Sequence, residues 1–274
     1  MKNLVIRQTI GVEKVQDKAI LVVSFGSSYE DTRKKTIEET EKAIQKHFKS
    51  YKVYRAFTSP RIRKVIHEQG EMIDSVEEAL IRMARDGISH IIVQPTFIIC
   101  GKEYDEMCRA VENFKENFES IAIGKPLLYS MEDYFKVASI VTEDLGKIEE
   151  EEAVICMGHG VEHFMSVSYA ALDYVFKESA HPDIYMATIE AYPGIEQVIG
   201  QLKRKAYKKV RIVPFMFVAG HHVAKEMNQK GEKGWVKRLE KEGYMVQGVM
   251  RGLGEISKIR ELFVAHIHEA QTIN

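Results

Sequence analysis

The sequence predicts an α/β protein of two similar lobes, each a four-stranded, mainly parallel sheet flanked by helices. Three observations carry this. Short apolar runs alternate with longer segments of helical periodicity along the chain, the pattern of right-handed βαβ units. The order of units restarts after the acidic run at residues 149–152, with four strands on either side. Prolines, glycines and polar strand-end residues also recur at matching places in the two halves, as an internal duplication would leave them.

Taken in order, residues 19–25 (AILVVSF) form an apolar run stopped by Gly26, a first strand. Residues 31–48 are charged but carry Ile37, Ile44 and Phe48 at helical spacing, so they form an amphipathic helix. Residues 52–57 are a short strand, and Ser59-Pro60 supplies an N-cap and first-turn pair for a helix running towards His67. Residues 75–86 place Val76, Ala79, Leu80 and Met83 on one helical face and close at Gly87. A strongly apolar strand follows at 90–99, then helix at 102–117, strand at 121–123 and helix at 131–145. In the second half, strands are predicted at 153–157, 184–189, 210–218 and 245–249. Helices are predicted between and after them at 165–176, 195–205, 235–242 and 256–270. The organisation expected is an extension over residues 1–18, an N-terminal lobe over 19–130 and a C-terminal lobe over 131–274, with a site in the cleft between the lobes.

The repeat can be written by position. Pro95 and Pro214 both lie inside apolar runs; Gly101 and Gly220 follow six residues later, and Glu103 and His222 two further on. Ser24-Phe25-Gly26-Ser27 is matched to Cys156-Met157-Gly158-His159, and Pro60 to Pro193. That alignment sets Ser27, Phe57 and Glu103 of the first half against His159, Glu190 and His222 of the second.

Composition excludes several classes. A formal net charge of −1 gives no basic field for nucleic acid. No uninterrupted apolar span approaches the roughly 20 residues a membrane helix needs. The opening MKNLVIRQTIGVEKVQDKA lacks an apolar signal core, so a cytoplasmic protein is expected. Three cysteines, Cys100, Cys108 and Cys156, make neither a C-x-x-C nor an even set, which fits reduced thiols. Neither a Gly-x-Gly-x-x-Gly nor a P-loop pattern occurs, so no organic cofactor is expected, and the absence of H-E-x-x-H argues against a metalloprotease.

What remains is chemistry at strand ends, where open α/β sheets bind ligands. His159, Glu190 and His222 end three strands of the second half. Two imidazoles and a carboxylate suit a borderline divalent cation such as Co²⁺, Ni²⁺, Fe²⁺ or Zn²⁺. The other histidines fit blander roles. His163 stands four residues after His159, but Gly160 interrupts any helical pairing, and His266 and His268 fall in the last turns of the final helix, where histidine is usually solvated or faces the helix dipole.

The segments LVVSFGSSYEDT, YRAFTS, GHG at residues 158–160, IEAYP around Glu190 and PFMFVAGHH resemble the anaerobic sirohydrochlorin cobaltochelatases of the CbiK type, which are related in fold to ferrochelatase. The similarity runs in order from Ala19 to the C-terminal FVAHIHEA. It implies a cytoplasmic lyase that inserts Co²⁺ into sirohydrochlorin in the anaerobic cobalamin pathway. The metal is then a substrate, and His159, Glu190 and His222 are its ligands, with His159 and Glu190 also handling protons. In the family the residue before the last ligand is commonly Asp; here it is His221, a second candidate at that place. Sirohydrochlorin and Co²⁺ are the implied partners, with a second copy of the chain as a further one. Arg55, Arg61 and Lys102 are candidate cations for the tetrapyrrole carboxylates. A chelatase for Fe²⁺ or Ni²⁺, or a metal or tetrapyrrole carrier without turnover, are the alternative readings.

Overall fold

The computed structural model describes residues 17–228 and 234–273. Of the expected extension, residues 1–16 lie outside the described residues, and Lys18 already belongs to the first strand. The first lobe contains β1 (Lys18–Ser24), β2 (Lys52–Phe57), β3 (His90–Pro95) and β4 (Ser120–Ile123). The second contains β5 (Glu152–Gly158), β6 (Ile184–Thr188), β7 (Lys209–Pro214) and β8 (Met245–Gly248). Both sheets are parallel and share one topology, β2-β1-β3-β4 and β6-β5-β7-β8. A short strand that the sequence reading missed, β9 (Gln271–Thr272), adds antiparallel to β4, so the first sheet has five strands. Two polar residues give no periodic signal, which is why β9 was not legible.

The helices of the first lobe are α1 (Glu30–Arg33), α2 (Glu39–His47), α3 (Pro60–Glu68), α4 (Val76–Arg85) and α5 (Lys102–Glu112). A π-helical segment, Lys34–Glu38, joins α1 to α2. Then follow α6 (Met131–Leu145), α7 (Val167–Glu178), α8 (Ile195–Leu202), α9 (His221–Asn228), α10 (Trp235–Lys241) and α11 (Ser257–His268). Several start where capping chemistry dictates: Ser59 accepts from the Ile62 amide ahead of Pro60, and Ser75 and Glu78 form a reciprocal capping box. Every residue of β5 is buried, as expected for a parallel strand covered on both faces.

β3 and β7 both stop earlier than predicted, at Pro95 and Pro214. Proline has no N–H to carry the ladder further. The apolar residues beyond are buried for another reason: Phe215 and Phe217 pack into the large core cluster with Phe57 of β2 and Phe263 of α11. His222 therefore does not end a strand. It stands in the first turn of α9, after a loop over residues 215–220.

Strand register corrects the repeat alignment. Val23 pairs with Pro95 and Met157 pairs with Pro214, so Val23 corresponds to Met157. Phe25 then matches His159, and Gly26 matches Gly160, two residues from the alignment drawn on sequence. Backbone geometry agrees: Gly26 and Gly160 both have positive φ, 99° and 75°. Ser24 pairs with Phe57 and Gly158 with Thr188, so Phe57 corresponds to Thr188 and not to Glu190. Glu190 sits in a longer loop before α8 that the first lobe lacks. The Gly101–Gly220 match stands, since α5 and α9 each begin one residue later.

We propose to keep the lobe division at 19–130 and 131–274, with the observation that α11 and β9 return to the first lobe. Val264 and Ile267 of α11 pack with Ile20 and Val22 of β1 and Ile44 of α2. His266 on the same helix is not the solvated residue its position suggested; it is 2% exposed. Its Nε2 lies 3.1 Å from Asp133 Oδ1 and its Nδ1 3.2 Å from the Lys125 carbonyl. The ring is thus held between the Asp133 carboxylate and the Lys125 carbonyl. Burial raises the Asp133 pKa, but the Ser130 amide and hydroxyl together with His266 outweigh it and hold the carboxyl below its ordinary value. This pair ties the inter-lobe connection, α6 and α11 together. Its stabilisation is complete above the ordinary carboxylate pKa of about 4 and fades only as pH falls through the lowered value. Asp133→Ala leaves a buried ring nitrogen of His266 without its partner and should cost about 1–3 kcal/mol, read as a drop in denaturation midpoint at pH 7.

Candidate functional site

The site grows from two adjacent strand ends. Leaving β5, the chain runs through His159 and Gly160; leaving β6, it runs through Ile189 and Glu190. The two loops are stitched by backbone: the amides of Ile189 and Glu190 donate to the His159 carbonyl at 3.1 and 2.9 Å, and Ile189 also donates to Gly158. Thr188 closes the second loop, its amide and hydroxyl both donating to the Pro193 carbonyl while the hydroxyl oxygen accepts from Ala191. These bonds bring His159 and Glu190 together, with Nδ1 and Oε2 3.8 Å apart and both side chains about half exposed to solvent.

Gly160 must be glycine. Besides its φ of 75°, a Cβ there would stand 2.8 Å from the Ala191 Cβ and 2.9 Å from its amide nitrogen. Gly158 is as constrained, because a Cβ would meet the Tyr169 ring at 2.6 Å. Downstream, the Ser166 hydroxyl donates to the Val161 carbonyl and accepts from the Val161 amide.

His159 Nδ1 lies 2.7 Å from the Gly160 carbonyl, so in the neutral ring Nδ1 carries the proton and the lone pair is on Nε2. In that tautomer Nε2 is the nitrogen able to ligate a metal ion. Glu190 flanks the Nδ1 side, so a metal shared by the two requires one of these exposed side chains to rotate. His222 opens α9 with His221, and the side chains of both lie outside the described residues. Among the described residues, no three His, Cys, Asp or Glu side chains are grouped to hold a metal ion.

The two lobes meet at these loops in a pseudo-symmetric way. A Cβ on Gly220, ahead of α9, would lie 3.6 Å from Ser27 Oγ in the loop after β1. A Cβ on Gly101, ahead of α5, would lie 3.6 Å from Val161 in the loop after β5. Buried Arg33 braces the first of these loops, donating to the Ser27 carbonyl while pairing with Glu71. His163 crosses the interface: its Nδ1 accepts from the Met165 amide, and its Nε2 stands 3.3 Å from the Asp105 carboxylate of α5. Sequence reasoning gave His163 no such role, because its partner is 58 residues away and on the other lobe.

Other expected contributors are placed differently. Arg55 is held by Glu41 through two hydrogen bonds and is a structural cation. Lys102 is exposed on the first turn of α5, 3.9 Å from Glu106. Phe25, which occupies the position of His159 in the first lobe, is 49% exposed. The cysteines are poor ligands: burial pushes the Cys100 thiol up to about 11 and the Cys156 thiol up to about 12, so both stay protonated.

Residues 18–272 match the cobalt chelatase (CbiK) family, and the chain belongs to it. A protein named sirohydrochlorin cobaltochelatase from Salmonella typhimurium is 34% identical over 254 residues, covering 92% of this chain and 96% of that protein. Sirohydrochlorin cobaltochelatase CbiKC of Nitratidesulfovibrio vulgaris is 28% identical, covering 92% and 90%. Among solved structures, SirB from Bacillus subtilis with Fe³⁺ superposes with a TM-score of 0.64 at 16% identity, covering 92% of this chain and 95% of its own. CbiX, described as the terminal enzyme of sirohaem biosynthesis in denitrifying bacteria, gives 0.55 at 14% identity, with 93% and 100% coverage. These two share the fold.

Gly160→Ala should cost at least about 1–2 kcal/mol for the left-handed backbone alone. It should also lower metal affinity by opening the β5–β6 loop contact. Thermal denaturation and a Co²⁺ titration of the same sample read the two effects.

Proposed function

We propose that the chain is a sirohydrochlorin cobaltochelatase of anaerobic cobalamin synthesis, inserting Co²⁺ into sirohydrochlorin with release of two pyrrole protons. The single observation that carries the site assignment is the backbone-locked approach of His159 to Glu190 at the carboxyl edge of the second sheet, in a chain that matches the cobalt chelatase family almost from end to end.

The reaction makes three demands. The metal must be held by few enough protein ligands to leave coordination positions for the macrocycle nitrogens. Two N–H bonds must break, with their protons taken by bases near the metal. The wide, flat, polyanionic substrate needs an open cleft. In this reading His159, Glu190 and His222 bind Co²⁺, and its remaining positions pass to the pyrrole nitrogens as the protons leave. Glu190, half exposed beside the His159 ring, accepts a proton and hands it to solvent; His159 serves as ligand and proton acceptor in turn. Half-exposed Phe25 gives the macrocycle an apolar surface on the first lobe, and exposed Arg61 and Lys102 remain as cations for its carboxylates.

No helix among the described residues is long and apolar enough to cross a membrane. We place it in the cytoplasm, working without an organic cofactor.

Sirohydrochlorin and Co²⁺ mixed anaerobically with sub-stoichiometric protein should give many equivalents of cobalt–sirohydrochlorin per chain, followed by absorbance. Saturation at one equivalent would instead identify a carrier, and faster insertion of Fe²⁺ or Ni²⁺ in parallel reactions would reassign the metal. His159→Ala should retain its fold by circular dichroism and lose more than about 100-fold in turnover, since ligand and base go together. His222→Ala should abolish Co²⁺ binding while His221→Ala spares it; the reverse result would exchange their roles.

A further inference from the structure

His163 takes no part in the proposed chemistry, yet the loop that carries His159 is built around it. Its amide donates to the Val161 carbonyl at 2.8 Å, and its carbonyl accepts from the Ser166 amide at 2.9 Å. Its Nδ1 caps the short 3₁₀ turn Phe164–Ser166 by accepting from the Met165 amide at 3.2 Å. The ring also lies against Phe164, centroid to centroid 4.3 Å. With Nδ1 used inside the loop, Nε2 is left to face the other lobe, 3.3 Å from Asp105 Oδ2. The imidazole is 15% exposed and the carboxylate 51%.

The loop meets α5 twice, one helical turn apart. Val161 stands 3.6 Å from where a Cβ of Gly101 would be, and the Asp105 amide donates to the Gly101 carbonyl to close that turn. The pseudo-equivalent crossing is made differently. By the strand register Tyr29 matches His163 and Ala224 matches Asp105, and the Tyr29 ring lies 3.9 Å from where a Cβ of Gly220 would be. Packing alone can serve there, because Ala224 offers no charge. The repeat has therefore placed an imidazole facing a carboxylate at the crossing next to His159.

We infer that His163 and Asp105 are a positioning pair: they hold the loop carrying His159 against α5 of the first lobe and so set the width of the cleft that receives the tetrapyrrole. This rests on the reading of the cleft as the sirohydrochlorin site. The proposed metal ligands all belong to the second lobe, and the loops of His159 and Glu190 are joined within it by backbone bonds. A link between lobes should therefore act on the macrocycle, which meets both, and leave metal binding alone.

Two substitutions separate this role from the local cap. In His163→Asn the side-chain oxygen takes the place of Nδ1, so the Met165 amide keeps its acceptor while the reach to Asp105 is lost. In His163→Gln the amide nitrogen reaches the place of Nε2, so Asp105 keeps a partner while the cap is lost. Equilibrium dialysis of sirohydrochlorin without metal should give a dissociation constant about three- to tenfold higher for His163→Asn, and His163→Gln should stay within about twofold of the parent. Asp105→Ala should match His163→Asn, and the double variant should lose no more than either single one. Co²⁺ affinity should stay within about twofold of the parent in all four, as expected where no contact to the metal site is removed. Unchanged sirohydrochlorin binding by folded His163→Asn would overturn the inference. So would additive losses in the double variant, a fall in Co²⁺ affinity, or a loss in His163→Gln as large as that in His163→Asn. Dialysis needs no turnover: a native protein that binds sirohydrochlorin without metallating it fails the chelatase reading, while the variants still decide this one. A native protein that binds no sirohydrochlorin overturns both.

Discussion

The His159 carbonyl, accepting from the amides of Ile189 and Glu190, is the contact on which the site depends. It joins the loops that leave two neighbouring parallel strands, and it does so with backbone, so the placement is independent of side-chain rotamers. Parallel strands emit their loops on the same edge. The register of β5 against β6, with Gly158 beside Thr188, brings the two loops level. The glycines then follow by necessity: one admits Tyr169, and the other adopts positive φ against Ala191. The proposed metal-binding pair is thereby built on rigid scaffold while its side chains stay half exposed.

The duplication shows where the two lobes differ at these loops. Both sheets have the same strand order, both first strands lead into a positive-φ glycine, and both third strands end in proline ahead of a helix that starts after a glycine. At the matching positions the first lobe has Phe25 in place of His159 and a short connection in place of the Glu190 loop. The repeat thus sets the loops that carry the proposed ligands His159 and Glu190 in one lobe and Phe25 at the matching place in the other. His163 and Asp105 join the two lobes, and the Asp133–His266 pair holds the inter-lobe connection beneath them.

Much of this was legible in the sequence, and the rest was hidden for physical reasons. The alternating pattern located all eight long strands, because buried parallel strands are continuous apolar runs. Their ends were less legible. In PFMFVAG the apolar character continues past Pro214, since those residues are buried as a loop and not as a strand. His159 and Glu190, which the fold brings within 3.8 Å, were singled out because a polar residue following a buried strand stands out. The repeat alignment slipped by two residues because identical glycines occur at 158 and 160, and only the backbone says which one matches Gly26. His163, Asp105 and the buried His266 could not be found this way, since each acquires its role from a partner that folding brings to it.

The central claim is that one Co²⁺ is held by His159, Glu190 and His222. Cobalt X-ray absorption of the Co²⁺-loaded protein, with and without each substitution to Ala, tests it most directly. The account predicts two imidazole nitrogens and one carboxylate oxygen at about 2.0–2.2 Å, by analogy with zinc, and the loss of one protein ligand from the native shell in each variant. A sulfur neighbour at about 2.3 Å, or a shell unchanged by His159→Ala, would contradict it.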